Sequence, residues 1–236
     1  MLGLFRRQST VVLEPRDAYA LWAERYPARP HNPLMRVEQD AVASLIGNVS
    51  PARALDVGTG TGRNLPLLAA AGARLVVGAD LSMAMLNRHG RGAKVVCADA
   101  YRLPFPSGAF DLITASLMVG DIDDLPVWTS EMARLLAPGG RLVYSDFHPL
   151  WSAEGWRRTF DAADGRRFEV SYHPHEIDDH LQALDARGFD VLTFREPRLS
   201  RPGRRRPSVP VLVVFGAVRR ADSRADGARG FSRATS

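Results

Sequence analysis

Apolar positions change period along the 236-residue chain, and the changes mark out the elements. Residues 16–26 carry Tyr19, Trp22 and Tyr26 at helical spacing, which predicts a helix with one aromatic face. The break Pro30-His31-Asn32-Pro33 follows, and residues 35–46 predict a second amphipathic helix with Val37, Ala41, Leu45 and Ile46 turned inward. Short apolar runs then take over at 54–57, 76–80, 94–99 and 110–115, with a fifth after Pro138-Gly139-Gly140. Residues 65–71 and 122–136 read as intervening helices, the latter with Ile122, Leu125, Trp128, Met132, Leu135 and Leu136 on one face. Alternation of this kind predicts a parallel sheet with right-handed crossovers, helices on both faces and a ligand crevice at the C-terminal strand ends.

After the fifth run, Arg158-Thr159-Phe160 and residues 167–172 flank an Asp164-Gly165 turn, predicting a hairpin inside a segment, 149–174, that would roof the crevice. A helix over 175–187 ended by Gly188, a sixth strand over 190–195 and a seventh over 209–218 complete the pattern. Val11-Val12-Leu13 is expected to pack on the domain. The expectation is one domain over 1–236, with a helical lid at 15–47, a cap at 149–174 and a disordered tail at 219–236.

Composition narrows this reading. No apolar run is long enough to span a bilayer and residues 1–9 lack a signal-peptide pattern, so a cytoplasmic protein with no membrane partner is expected. Cys97, the only cysteine, is expected to pack as a small apolar residue in the third strand. The net charge of +5 comes almost wholly from arginine, since Lys94 is the only lysine. Its one loop cluster, Arg201 with Arg204 to Arg206, stands beside no nucleic-acid-binding module, so no nucleic-acid partner is expected.

The most informative stretch is Asp56-Val57-Gly58-Thr59-Gly60-Thr61-Gly62-Arg63, a strand end, a glycine turn and a helix start. Glycines let a ligand approach the main chain, and the helix start offers free N–H groups. Dinucleotide proteins use G-x-G-x-x-G; here Arg63 occupies the position of the third glycine. The E/D-x-G-x-G-x-G pattern resembles motif I of the class I S-adenosylmethionine-dependent methyltransferases. Asp80-Leu81-Ser82 with Met85-Leu86, Leu103-Pro104-Phe105 and Leu136-Ala137-Pro138-Gly139-Gly140 follow in the order of the subgroup holding the ubiquinone, menaquinone and malonyl-carrier-protein methyltransferases. The resemblance is close over about residues 15–146.

It implies a doubly wound, Rossmann-like α/β fold with a seven-stranded, mostly parallel sheet. The last strand would run antiparallel between the fifth and sixth, beneath an N-terminal helical lid and a hairpin cap. It also implies S-adenosyl-L-methionine as cofactor. Gly58 and Gly60 would contact its amino-acid part, with Asp56 as orienter, Gly62 completing the turn and Arg63 helping to hold the carboxylate. Asp80 would take the ribose hydroxyls, Asp99 the adenine amino group, and Leu81, Ala100 and Ser116 would border the ligand under Tyr19 of the lid.

Methyl transfer needs an aligned nucleophile and exclusion of water. For an oxygen or nitrogen acceptor, His148 and His173 are the candidate bases. Trp151, Trp156, Tyr172, His175 and His31 are candidate contacts for a small-molecule acceptor. His173, His175, His148 and Asp146 could also be drawn as a cation site, but methyl transfer needs no metal and none is expected. Transfer to oxygen is the leading reading, in small-molecule biosynthesis. Transfer to carbon or nitrogen of an aromatic or carrier-bound acceptor, and a non-methylating cofactor-binding protein such as a cyclase or regulator, remain alternatives. A homodimer through Tyr19, Trp22 and the cap is also open.

Overall fold

A computed structural model describes residues 10–47, 52–89, 92–199 and 208–221. The arginine cluster at 201–206 and the tail beyond 221 lie outside the described residues. In chain order the elements are β1 (Val11–Leu13), α1 (Pro15–Trp22), α2 (Pro33–Ile46), β2 (Ala52–Val57), α3 (Leu65–Ala70), β3 (Ala73–Asp80), α4 (Met83–Leu86), β4 (Val95–Cys97) and β5 (Phe110–Ser116). A 3-10 turn (Val119–Asp121) leads to α5 (Leu125–Leu135), β6 (Leu136–Phe147), α6 (Leu150–Ala153), β7 (Thr159–Asp161), β8 (Arg167–Val170) and α7 (Ile177–Ala186). The last elements are β9 (Phe189–Arg195), β10 (Arg198–Leu199), β11 (Val209–Pro210) and β12 (Leu212–Arg219).

The central sheet has seven strands in the order β4-β3-β2-β5-β6-β12-β9. Pairings from β4 through β6 are parallel, while β12 runs antiparallel between β6 and β9, as the resemblance implied. The chain winds outward from β2 to β4 and then returns to β5 on the other side of β2, which puts a topological switch point between β2 and β5.

Strand period divides the core into two layers. Leu55 and Val57, Ile113 and Ala115, Tyr144, and Val213 and Phe215 face a cluster completed by Trp128, Met132 and Leu135 of α5 and Leu184 of α7. Their neighbours Ala54, Leu112, Val143 and Val214 face the other way, onto Val42 and Ile46 of α2 and Leu68 of α3. Trp128, Tyr144 and Phe215 are fully buried, Tyr144 stacking on Phe215 at 4.9 Å between ring centres. Each such side chain contributes about 1.5–3 kcal/mol by leaving water.

Several boundaries depart from the pattern for local reasons. The aromatic helix stops at Trp22 rather than Tyr26, short of Pro27, and Tyr26 folds back through a turn onto the Ala23 carbonyl. Helix α5 begins at Leu125 because Asp124 caps it, accepting from the Val127 N–H at 2.9 Å, which leaves Ile122 extended. In α2 the buried positions are Met35, Glu38, Val42 and Ile46, so the inward stripe passes through a carboxylate that an apolar count skips. Cys97 is exposed rather than packed, because β4 is an edge strand; its Sγ lies 3.5 Å from the Leu81 carbonyl.

The hairpin forms at β7 and β8, antiparallel as its turn required. It does not stand alone. Strand β1 adds in parallel to β8, pairing Val11–Leu13 with Phe168–Val170. Ala18 of α1 is enclosed with Phe160, Ala162, Phe168 and Val170, and Trp22 stacks on Phe160 at 4.9 Å. The aromatic face of the first helix is therefore shared between this small sheet and the rest of the molecule.

One polar group inside the first core layer predicts a pH dependence. Asp146 and His180 are both fully buried, with Asp146 Oδ2 3.7 Å from His180 Nε2. Burial pushes the Asp146 carboxyl up to about 8 and His180 down to about 3. The folded protein then holds a proton on Asp146 that the unfolded chain releases above the ordinary 3.8, so stability from this group is full below 3.8 and is lost as pH rises through about 8. His180 works oppositely, stabilising above 6.5 and losing that contribution as pH falls toward 3. The two slopes offset each other between 3.8 and 6.5, leaving the Asp146 loss uncompensated between 6.5 and 8. Urea unfolding across that upper window is expected to show wild type losing up to about 2 kcal/mol more than Asp146→Asn. Parallel curves would contradict the assignment.

Candidate functional site

A cavity of about 290 Å³ opens at the switch point, lined by the C-terminal ends of β2, β3 and β5, the segment after β4, and the start of α1. Its wall includes Tyr19, Gly58, Gly60, Asp80, Leu81, Asp99, Ala100 and Ser116, so eight of the eleven residues expected around the cofactor share one space. Gly58 has φ of +65°, and a Cβ there would stand 2.7 Å from Met118 atoms, so both conformation and room demand glycine. The Asp80 carboxylate joins two loops: Oδ2 accepts from the Gly60 N–H at 2.7 Å and Oδ1 from the Ser82 N–H at 2.8 Å. Burial raises its pKa, and those two N–H groups pull against the rise. Asp99 accepts from the Tyr101 N–H at 2.9 Å, holding the segment after β4 in a turn.

The other three expected cofactor residues act behind the wall. Asp56 is buried and accepts from Thr114 Oγ1 at 2.7 Å and Asn64 Nδ2 at 3.3 Å; the same amide donates to Ser116 Oγ at 2.9 Å. It thus orients the glycine turn and the end of β5 rather than facing the cavity, and burial pushes its carboxyl up. Gly62 packs against His89, whose Nε2 lies 2.9 Å from the Gly60 carbonyl. Arg63 is not in the cavity wall and pairs instead with fully buried Glu38 at 2.6 Å.

The expected acceptor side needs more correction. His148 is not placed to be a base, because Nδ1 accepts from the Leu150 N–H at 3.1 Å and Nε2 lies 2.9 Å from Glu196. His175 is buried with Nε2 2.8 Å from the Ile122 carbonyl, and His31 is exposed beside Asn32, the α2 cap. Trp151 and Trp156 meet edge to face at 4.5 Å and pack with Phe147, Val211 and Leu212. Tyr172 joins the same cluster, its ring filling the space where a Cβ at Gly120 would stand. None of these six is in the cavity wall. His173 is not in the wall either; its N–H donates to the Gly120 carbonyl at 2.9 Å, and its ring lies within electrostatic reach of Asp121 and Asp123. Among the described residues no cluster of histidine, cysteine, aspartate and glutamate could hold a metal ion, and no helix is long and apolar enough to cross a membrane.

Sequence reasoning missed Asp121, Tyr101, Met118 and Ile122 in the wall. Asp121 is buried by the 3-10 turn and paired with Arg158 of the β7 approach. Burial pushes its carboxyl up while Arg158 and the Tyr19 hydroxyl pull it down. Asp121 stands immediately before the 122–136 stretch that reads as one helix, and the periodicity that locates α5 gives no sign of the turn in front of it. Tyr101 accepts from the Asp123 and Asp124 N–H groups at 2.9 Å each, tying the segment after β4 to that after β5.

The comparisons with known proteins agree with this geometry. Residues 55–144 match the model of a methyltransferase domain. The chain is 34% identical over 167 residues to a malonyl-[acyl-carrier protein] O-methyltransferase of Halorhodospira halophila, covering 64% of this chain and 55% of that one. It is 43% identical over 109 residues to a demethylmenaquinone methyltransferase of Thermus thermophilus, covering 42% and 49%. An S-adenosylmethionine dependent methyltransferase from Mesorhizobium loti superposes with a TM-score of 0.64 at 25% identity, over 78% of this chain and 98% of that one. The chain carries a methyltransferase domain over residues 55–144, in the fold of S-adenosylmethionine-dependent methyltransferases. It spans about half the length of the two sequence relatives.

S-adenosylmethionine is the cofactor of such a domain, and the wall suits it: a glycine turn open to the main chain, the carboxylates Asp80 and Asp99 after successive strands, and a mixture of apolar and polar side chains around them. The turn itself depends on Glu38, which accepts from Arg63 and, through Oε1, from Ser145 Oγ at 2.7 Å. Glu38→Gln leaves a buried guanidinium without its counter-charge, and urea unfolding should show a loss of about 3–5 kcal/mol. A change within 0.5 kcal/mol, roughly the level of a neutral surface substitution, would show that the pair does not hold the turn.

Proposed function

We propose that the protein transfers a methyl group from S-adenosylmethionine to a small-molecule acceptor, with oxygen as the receiving atom. The observation that carries this is the convergence of Gly58, Gly60, Asp80, Asp99 and Ser116, from four separate segments, on one cavity at the switch point. When bound, the cofactor supplies an electrophilic methyl group on sulfur. The chain's part is binding, alignment and exclusion of water.

Asp80 and Asp99 would receive the hydroxyls and amine of the nucleoside, and the N–H groups of the glycine turn its amino-acid end. Leu103, Leu117, Met118 and Ile122 supply apolar wall, with Glu14, Arg16, Tyr19, Tyr26, Tyr101 and Asp121 as polar features around it. That combination favours an acceptor with an apolar body and at least one hydrogen-bonding group. The two relatives named as methyltransferases of a carrier-bound acid and of a quinone precursor support an acceptor with such a group. Carbon transfer on an activated ring is the second reading, and His173, outside the cavity wall but within electrostatic reach of Asp121, is the base candidate for either.

Calorimetric titration with S-adenosylmethionine and S-adenosylhomocysteine tests the cofactor half. Wild type should bind both in the micromolar range, and Asp80→Asn should weaken both by about tenfold or more, as loss of a charge-assisted hydrogen bond would. No binding by wild type would sink the reading. Binding then justifies a methyl-transfer screen across phenolic, carboxylic and carrier-bound acceptors, where product mass and the site of the new methyl separate oxygen from carbon transfer.

A further inference from the structure

Arg158 stands just before β7, in the segment least like the family, yet its side chain is among the most engaged in the molecule. Its guanidinium donates to Asp121, to the Tyr19 hydroxyl at 3.3 Å and to the Ser171 carbonyl at 3.0 Å. The same group lies 5.9 Å from the ring centres of Tyr19 and Phe147 and 6.0 Å from that of Tyr172. Its side chain is 9% exposed and that of Asp121 11%. Tyr19 and Asp121 belong to the cavity wall, whereas Arg158 does not, so it touches the cavity only through them.

Each partner comes from a different body. Tyr19 is on α1, Asp121 ends the turn after β5, and Arg158 belongs to the small sheet built by β1, β7 and β8. The other joins at this seam are the His173 N–H on the Gly120 carbonyl and the Tyr172 ring seated over Gly120. A lysine could supply charge, but only a planar fork reaches a carboxylate and a phenol together.

We propose that Arg158 is a positioning residue of the cofactor site, fixing Tyr19 and Asp121 in the cavity wall so that α1 and the small sheet close over the ligand as one piece. The proposal rests on the cofactor reading above. Without Arg158, Asp121 faces the cavity as a buried carboxylate lacking its cation, and α1 loses its polar tie to the strand ends. Ligand already bound then escapes sooner.

The test uses S-adenosylhomocysteine on the full chain, with Kd from calorimetry, dissociation rate from stopped-flow and folding of each variant checked by circular dichroism. Arg158→Met should raise Kd roughly tenfold, mostly through faster dissociation. Arg158→Lys should fall between the two, because it keeps the charge and loses the fork. Tyr19→Phe removes one hydroxyl from an otherwise unchanged ring and should speed dissociation by about threefold; it decides the matter should Arg158→Met fail to fold. A merely structural role would lower the melting temperature of folded Arg158→Met and leave Kd and dissociation at wild-type values, which would overturn the proposal while the cofactor reading stood. Failure of wild type to bind would overturn both.

Discussion

The Asp80 carboxylate is where the two halves of the cavity floor meet. One oxygen holds the Gly60 N–H of the turn after β2, and the other holds the Ser82 N–H that begins α4 after β3. The Thr59 N–H donates in addition to the Ala79 carbonyl at 3.0 Å, so turn and strand end are bonded twice. A glycine turn alone has many conformations open to it, and its entropy must be overcome before it presents a surface. Here a single acid selects one conformation, and that acid sits where it does because β3 is paired in register with β2, Val57 opposite Ala79. Ligand recognition thus depends on strand register, which in turn depends on both faces of these strands being buried.

This explains which parts of the molecule could be read from the sequence. The parallel sheet follows from apolar runs with fixed periods and from the punctuation of Gly58, Pro138 and Gly188, which are local signals, whereas the antiparallel last strand came from the family resemblance alone. Eight of the residues expected around the cofactor share one cavity, because they lie directly after strands, where topology places them whatever the side chains do. Glu38 was not legible. It stands in an amphipathic helix at a position that looks polar, and only the approach of Arg63, 25 residues on, makes it interior. Arg158 and Asp121 were missed for the same reason, since their partnership spans 37 residues and no periodicity encodes it.

The histidines show the opposite error. Imidazole near a strand end suggests acid–base chemistry, and His148 does follow the fifth strand of the pattern. Its two nitrogens are nevertheless occupied, one by the next turn's N–H and one by Glu196. A buried imidazole more often settles a local hydrogen-bond account than faces a substrate, and sequence has no term for the occupancy of its second nitrogen.

The two buried ion pairs, Glu38 with Arg63 and Asp121 with Arg158, occupy corresponding places: each ties an N-terminal or cap element to the switch-point end of the sheet. Desolvation makes such pairs poor sources of net stability, and apolar residues of equal size could hold the same elements together. An apolar seam, however, tolerates sliding, because dispersion contacts are many and weakly directional. A bidentate or multiply hydrogen-bonded charge has one satisfied geometry and a large cost for any other. The placement of both pairs around a cavity that must accept and release a ligand argues that they specify where α1 and α2 rest against the sheet. The stability of the domain comes instead from the apolar layers on either side of it.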